Sequence, residues 1–149
     1  MGTLTLPVVG SVYVDANAVT YRIEVVQPYL AVAAPLWDAL RAGTQTVVTS
    51  ELCLLEVLVK PVQLGDSALQ SLFRTILYNT KGFSCAPITR QTLEMAAQLR
   101  ATTGLKTPDA IHAATALIEH CALFVTNDPI FRRVPGLTVA ILSEIAVAP

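Results

Sequence analysis

Short apolar runs alternate along this chain with longer segments whose apolar residues recur at helical spacing. The short runs are "SVYVD" (Ser11–Asp15), "TVVTS" (Thr46–Ser50), "FSCAPI" (Phe83–Ile88), "ALFVTND" (Ala122–Asp128) and "LTVAIL" (Leu137–Leu142). Each is rich in β-branched or aromatic residues and has the length of a buried strand. Between them the pattern predicts helices. A helical hairpin follows Asn17, its second helix opening at Pro28 and closing at Gly43. Ser50 suits the N-cap of "ELCLLEVLVK", which Pro61 is expected to stop. Asp66 caps "SALQSLFRTILYN", where Leu69, Leu72, Phe73, Ile76 and Leu77 keep helical spacing. Thr89 opens "RQTLEMAAQLRATT", and Gly104 ends it. Thr107 and Pro108 read as N-cap and first residue of "DAIHAATALIEH", a helix with little polar surface. Strands alternating with helices predict an α/β fold, with a central, mostly parallel sheet of four to five strands flanked by helices.

Composition sharpens this picture. The 149 residues fit one domain spanning 1–149, with no repeat, linker or low-complexity segment. Hydrophobic residues make up 53% and charged residues 14%, and mean hydropathy is +0.56. So apolar a chain implies helices buried on more than one side, or a sizeable oligomer interface. No apolar run reaches the ~18 to 20 residues of a membrane span. The start "MGTLTLPVVGSVYVD" lacks a basic n-region and a long apolar stretch, so a cytoplasmic location is expected. Cys53, Cys85 and Cys121 show no CxxC spacing and read as reduced core residues. Net charge is −1, and no basic run marks a general nucleic-acid binder.

Sorting the 11 acids by position isolates four. Asp66 is a cap, Glu51 suits the positive end of its helix, and Glu24, Asp38, Glu94, Glu119 and Glu144 fit solvated faces or ends. Asp15 and Asp128, however, close two strands. Glu56 is the only charge within "LCLLEVLV", where an unpaired buried carboxylate costs several kcal/mol. Asp109 stands in the first turn of the most apolar helix. Taken singly, turn chemistry explains Asp15 and Asp128, and helix-dipole compensation explains Asp109. In a parallel sheet, though, helices start where strands finish, and ligands bind at that edge. All four acids are therefore expected to face one cleft, where their mutual repulsion calls for cations. An all-oxygen cluster without cysteine suits Mg²⁺ or Mn²⁺ better than Zn²⁺.

These residues resemble the PIN-domain ribonucleases, in particular the small VapC-type toxins of bacterial toxin–antitoxin pairs. The matching segments are "VYVDANAV", "TSELCLLEVLV", "KTPDAIHAATAL" and "FVTNDPIF", in the family's order, from Asp15 to Phe131. The resemblance implies a PIN fold, a pocket for one or two Mg²⁺ or Mn²⁺ ions, an RNA substrate, an antitoxin partner and frequently a homodimer. Carried over, Asp15, Glu56, Asp109 and Asp128 form the acidic quartet, with Asn17 and Thr126 as polar helpers. Asp15 and Asp128 are the first choices for direct ligands. Asp109 is expected to meet the ion or its water, and Glu56 a second ion or the attacking water. The chemistry expected is in-line attack of water on a phosphodiester. Lys106, Arg132 and Arg133 are the cations best placed to grip the substrate. His112 is expected to be a core or interface histidine and His120 a partner for its helix's C-terminal dipole. One departure is the stretch of about ten residues before the first strand, an extra strand or a partner contact.

Two other classes compete with this reading. A phosphotransfer domain also places acids at strand ends, but a haloacid-dehalogenase phosphatase wants a second Asp where this chain has Asn17. A receiver wants adjacent acids near the first strand and a lysine closing a later one, and neither is present. The other class is a catalytically silent PIN-fold module for binding or assembly, against which retention of all four acids argues.

Overall fold

The computed structural model describes Met1–Pro149. Five short strands carry the sheet: β1 (Val12–Val14), β2 (Val47–Ser50), β3 (Phe83–Ala86), β4 (Leu123–Thr126) and β5 (Val139–Ile141). Seven helices connect and cover them: α1 (Ala16–Ile23), α2 (Tyr29–Ala42), α3 (Leu52–Gln63), α4 (Ser67–Tyr78), α5 (Arg90–Thr103), α6 (Thr107–Ile118) and α7 (Leu142–Ala146). A 3₁₀ turn, Pro129–Arg133, follows β4. The strand order is β3-β2-β1-β4-β5 and every neighbouring pair is parallel.

This order has one reversal. The chain leaves β1 toward β2 and β3, then returns to build β4 and β5 on the other side. The switch point is therefore the crevice beyond the carboxyl ends of β1 and β4, where open α/β sheets bind ligands. Asp15 immediately follows β1, and Asp128 lies two residues past β4.

Strand alternation divides the core in two. Val12, Val14, Val47, Leu123 and Val125 point to one face and pack with Val19, Leu36, Trp37, Phe73 and Leu77 of α1, α2 and α4. Tyr13, Val48 and Phe124 point to the other and pack with Ala96, Leu99, Ala110, Ala113 and Ala114 of α5 and α6. Burying the sheet on both sides accounts for much of the high apolar content. α6 is buried from Ala110 through Ala116, as its composition implied.

Several element boundaries differ from the sequence expectation. Pro61 lies inside α3 rather than stopping it. It occupies the last turn, where only one intrahelical donor is lost, and the chain turns away at Gly65 (φ +64°). Ser50 belongs to β2, yet its Oγ accepts the Leu52 N–H (3.1 Å), the service expected of a cap. Thr107 is already helical, and Lys106 holds the cap position without a side-chain bond. The Thr107 hydroxyl instead accepts from Arg100 (2.8 Å), whose Nε also donates to Leu105 O (3.1 Å). The residues before β1 form no extra strand, and their first few pack back on the domain. Gly2 N–H donates to Ile145 O, Leu4 N–H donates to Val32 O, and Leu4 is buried.

Candidate active site

Each of the four singled-out acids is set by the element around it. Asp15 ends β1 and caps α1, one oxygen accepting the Ala18 N–H (3.0 Å). Its other oxygen accepts from Thr126 Oγ1 at 2.6 Å, and the residue is only 6% exposed. The same Thr126 hydroxyl accepts the Asp128 N–H (3.1 Å), so one side chain ties the ends of β1 and β4 together. Asp128 caps the 3₁₀ turn through the Ile130 N–H (2.9 Å) and is exposed. Asp109 occupies the first turn of α6, half-buried, just past the link made by Arg100. Glu56 sits one turn into α3 and meets His112, Oε1 to Nε2, at 2.5 Å.

A small hollow of about 60 Å³ collects these groups: Asp15, Ala16, Asn17, Glu56, Asp109, His112 and Phe131 line it. Larger depressions exist, including one of about 400 Å³ lined by Arg22, Trp37, Arg41 and Lys81 among others. Its Gly43 and Lys81 precede β2 and β3, so it lies at the opposite edge of the sheet. Chemistry rather than size picks out the acid hollow. Asp128 does not line it, though its charge acts on Asp109.

The electrostatics agree with a crowded anionic site. Burial pushes the Asp15 carboxyl up from its ordinary value, against the lowering effect of the Thr126 and Ala18 hydrogen bonds. Asp109 is also raised, first by burial and then by the charges of Asp128 and Glu56, while His112 and Lys106 oppose the rise. A cation would relieve both costs, and the oxygen-only acids fit a hard divalent ion. They do not form a ready cage: no three His, Cys, Asp or Glu side chains converge closely enough to hold a metal ion. Glu56 is drawn to His112, and Asp15 and Asp128 each spend an oxygen on a helix end.

Of the expected substrate cations, Lys106 is exposed and its charge reaches Asp109. Arg132 is committed elsewhere, forming two bonds to Glu144 of α7 (2.7 and 2.5 Å). Arg133 reaches Thr103 O at 3.4 Å. Asn17 lines the hollow. Sequence reasoning missed two supports. Asn127 accepts the Ser143 N–H (2.8 Å) and donates to Tyr21 Oη (3.3 Å), and Tyr13 bonds His112 from beneath. The Asn127 bond needs α7, and Tyr13 looks like an ordinary strand aromatic.

A family model described as "PIN domain" matches residues 12–137. The chain belongs to the PIN-domain family. Solved structures give the same fold. The VapBC2 complex of Rickettsia felis, bound to a promoter DNA fragment, contains a chain that aligns with TM-score 0.69 and 16% identity, covering 87% of this chain and 97% of that one. FitAcB of Neisseria gonorrhoeae aligns with TM-score 0.66 and 19% identity over 89% and 98% of the two chains. A toxin–antitoxin complex from Klebsiella pneumoniae aligns with TM-score 0.62 and 21% identity over 89% and 98%. Among curated proteins, none matches significantly in sequence. No helix of this PIN domain is long and apolar enough to cross a membrane.

Proposed function

We propose that this PIN domain is a divalent-metal-dependent endoribonuclease and the toxin of a toxin–antitoxin pair, acting in the cytoplasm. The observation that carries the reading is the hollow at the sheet's switch point, lined by Asp15, Glu56, Asp109 and Asn17, with the charge of Asp128 acting on Asp109. Family membership and fold neighbours drawn from toxin–antitoxin complexes support it. Asp15, Asp109 and Asp128 would hold one or two Mg²⁺ or Mn²⁺ ions, with Glu56 contacting a second ion or the attacking water. When bound, such an ion neutralises the carboxylates and polarises both water and phosphate. The protein's own part is positional. Thr126 holds Asp15 and the start of the Asp128 turn in register, Arg100 fixes the turn that presents Asp109, and Asn17 offers an amide to the carboxylates or the phosphate. Lys106 and Arg133 supply positive charge along the approach.

Two protein partners belong to the same reading, an antitoxin and a second copy of the chain. Leu55, Val59, Val62 and Leu72 on α3 and α4 are each about half or more exposed, apolar surface that a protein partner would bury.

The test is RNA cleavage with Mg²⁺ or Mn²⁺, with and without EDTA, for wild type, Asp15→Asn and Asp109→Asn. Each variant is expected to lose on the order of 10²-fold or more in rate, the scale of one lost electrostatic contact to a transition state. Equal cleavage in EDTA, or full activity in both variants, refutes the mechanism. A binding or assembly role is the second reading, favoured by the capping duties of Asp15 and Asp128. Calorimetry separates the two, since a silent module takes up no ion at millimolar Mg²⁺ or Mn²⁺.

A further inference from the structure

Glu56 is reached from the interior by a chain of two hydrogen bonds. β1 turns Tyr13 away from Val12 and Val14, into the core beneath α6. There its ring is fully buried, stacked on Phe124 (centroids 4.9 Å apart) and edge-on to His112 (5.8 Å). Tyr13 Oη lies 2.6 Å from His112 Nδ1, and His112 Nε2 lies 2.5 Å from Glu56 Oε1. His112 is 2% exposed, whereas the Glu56 side chain is 29% exposed and lines the acid hollow. The chain thus runs from a closed core to the site.

We infer that Tyr13 and His112 are positioning residues for Glu56: the Tyr13 hydroxyl donates to His112 Nδ1, which commits Nε2–H to Glu56 Oε1 and leaves Oε2 to the site. What Glu56 then does there rests on the nuclease reading above, but the hydrogen-bond arrangement does not. The direction of the bonds follows from donor arithmetic. A fully buried phenol with no cation beside it is an O–H donor at neutral pH. With the ring neutral, His112 has one donor and one acceptor nitrogen, whereas a doubly protonated ring would donate from both and reverse the Tyr13 bond. With Nδ1 accepting from the phenol, the ring proton stays on Nε2, facing the carboxylate. The other tautomer sets a lone pair against Glu56 and leaves a repulsive contact. The buried hydroxyl therefore decides the sign of an interaction two bonds away, as partners behind metal-site ligands do. No buried side-chain polar atom along the chain is left without a partner.

The alternative is that Glu56 merely satisfies a core histidine. Long-range ¹H–¹⁵N spectra distinguish the two, because the protein has only two histidines and His120 is exposed. Wild-type His112 is expected as a single Nε2–H tautomer, beside an averaging His120. Tyr13→Phe keeps the ring and its stack on Phe124 but removes the donor. It is expected to mix the His112 tautomers, lower kcat for RNA on the order of 10-fold with KM nearly unchanged, and weaken Mn²⁺ binding in calorimetry by a similar factor. His112→Gln, which keeps an N–H for Glu56, is expected to retain more kcat than His112→Ala, with melts of all three variants showing that they fold. An Nδ1–H tautomer or a doubly protonated His112 in the wild type overturns the proposal. So does a Tyr13→Phe protein whose tautomers mix while kcat and Mn²⁺ affinity stay at wild-type values. A wild type that binds no Mn²⁺ and cuts no RNA defeats the nuclease reading instead, and the tautomer then decides the hydrogen-bond arrangement by itself.

Discussion

Replacing Thr126 by valine tests how the site is held together. The Thr126 hydroxyl donates to Asp15 Oδ2 (2.6 Å) and accepts the Asp128 N–H (3.1 Å), and the residue is fully buried. Valine matches its shape but supplies neither bond. The bond to Asp15 is to a charged acceptor and should contribute about 1.5–3 kcal/mol, with a smaller loss from the stranded N–H. For a domain of this size each kcal/mol moves Tm by about 2–4 °C, so a fall of about 3–12 °C at pH 7.5 is expected. The pH dependence carries the sharper test. Burial already raises the folded-state pKa of Asp15 above its unfolded value, and Thr126 opposes that rise. Removing the hydroxyl raises it further. A carboxyl raised in the folded state destabilises once pH climbs past its unfolded value, and the full cost is present above the folded one. The gap between wild type and Thr126→Val should therefore widen from pH 4 to pH 7.5, on top of a pH-independent remainder from the Asp128 N–H. Thermal melts read by circular dichroism at both pH values measure this. A fall below about 1 °C at pH 7.5, or an identical gap at both pH values, would refute the reasoning.

Other consequences follow from the same geometry. Asp109→Asn should raise Tm slightly in metal-free buffer at pH 7.5, because the carboxylate it removes is disfavoured by burial and by Asp128. The same variant should abolish any Tm gain produced by millimolar Mn²⁺, and a lower apo Tm would contradict the repulsion argument. Wild-type stabilisation by Mn²⁺ should itself fade as pH drops toward 4 and the raised carboxyls of Asp15 and Asp109 take up protons, which melts across a pH series will show. Gly10→Ala should destabilise by about 1–3 kcal/mol in urea melts. Its φ is +99° and a new Cβ would come within 2.7 Å of the Ala122 Cβ. Lys106→Ala should weaken RNA binding and reduce its salt slope by about 0.7 for a single strand, read from affinity at several salt concentrations. Arg132→Ala should leave that slope nearly unchanged, because Glu144 already occupies its guanidinium.

Much of this architecture was legible in the sequence because the signals are local. Strand runs end on Asp15 and near Asp128, Gly43 and Gly104 close helices in the left-handed region (φ +77° and +75°), and Asp66 and Thr89 cap as their types suggest. Where several local signals competed, reading failed. Pro61 looked like a stop, but a proline in the last turn gives up little. Thr107 looked like a cap, but Arg100 claims its hydroxyl from another helix. Non-local pairings leave no trace in spacing. His112 and Glu56 meet only because α3 and α6 cross, and Arg132 lost its expected freedom to Glu144 on α7, a helix too short to show a period. His112 was read as a core residue and is buried, but burial alone did not suggest the bond that connects it to the acid hollow.

Holding several carboxylates together on an apolar frame demands some local source of positive potential, and the backbone supplies part of it. Asp15 sits at the N-terminal end of α1, Asp109 in the first turn of α6 and Asp128 at the start of a 3₁₀ turn. Each therefore lies where unpaired N–H groups and the helix dipole favour negative charge, by about 0.3–1 kcal/mol apiece. Placing acids at strand ends in a parallel fold thus also places them at helix starts, so one geometric fact collects the charges and softens their repulsion. Glu56 has no such help, because it lies inside α3 and faces no free N–H group. Its support comes from a side chain, the buried His112, which Tyr13 of β1 in turn bonds. Asp15, Asp109 and Asp128 at helix or turn starts and Glu56 within a helix should respond differently to mutation. Substitutions at Tyr13 or His112 should disturb Glu56 and leave Asp15, Asp109 and Asp128 in place.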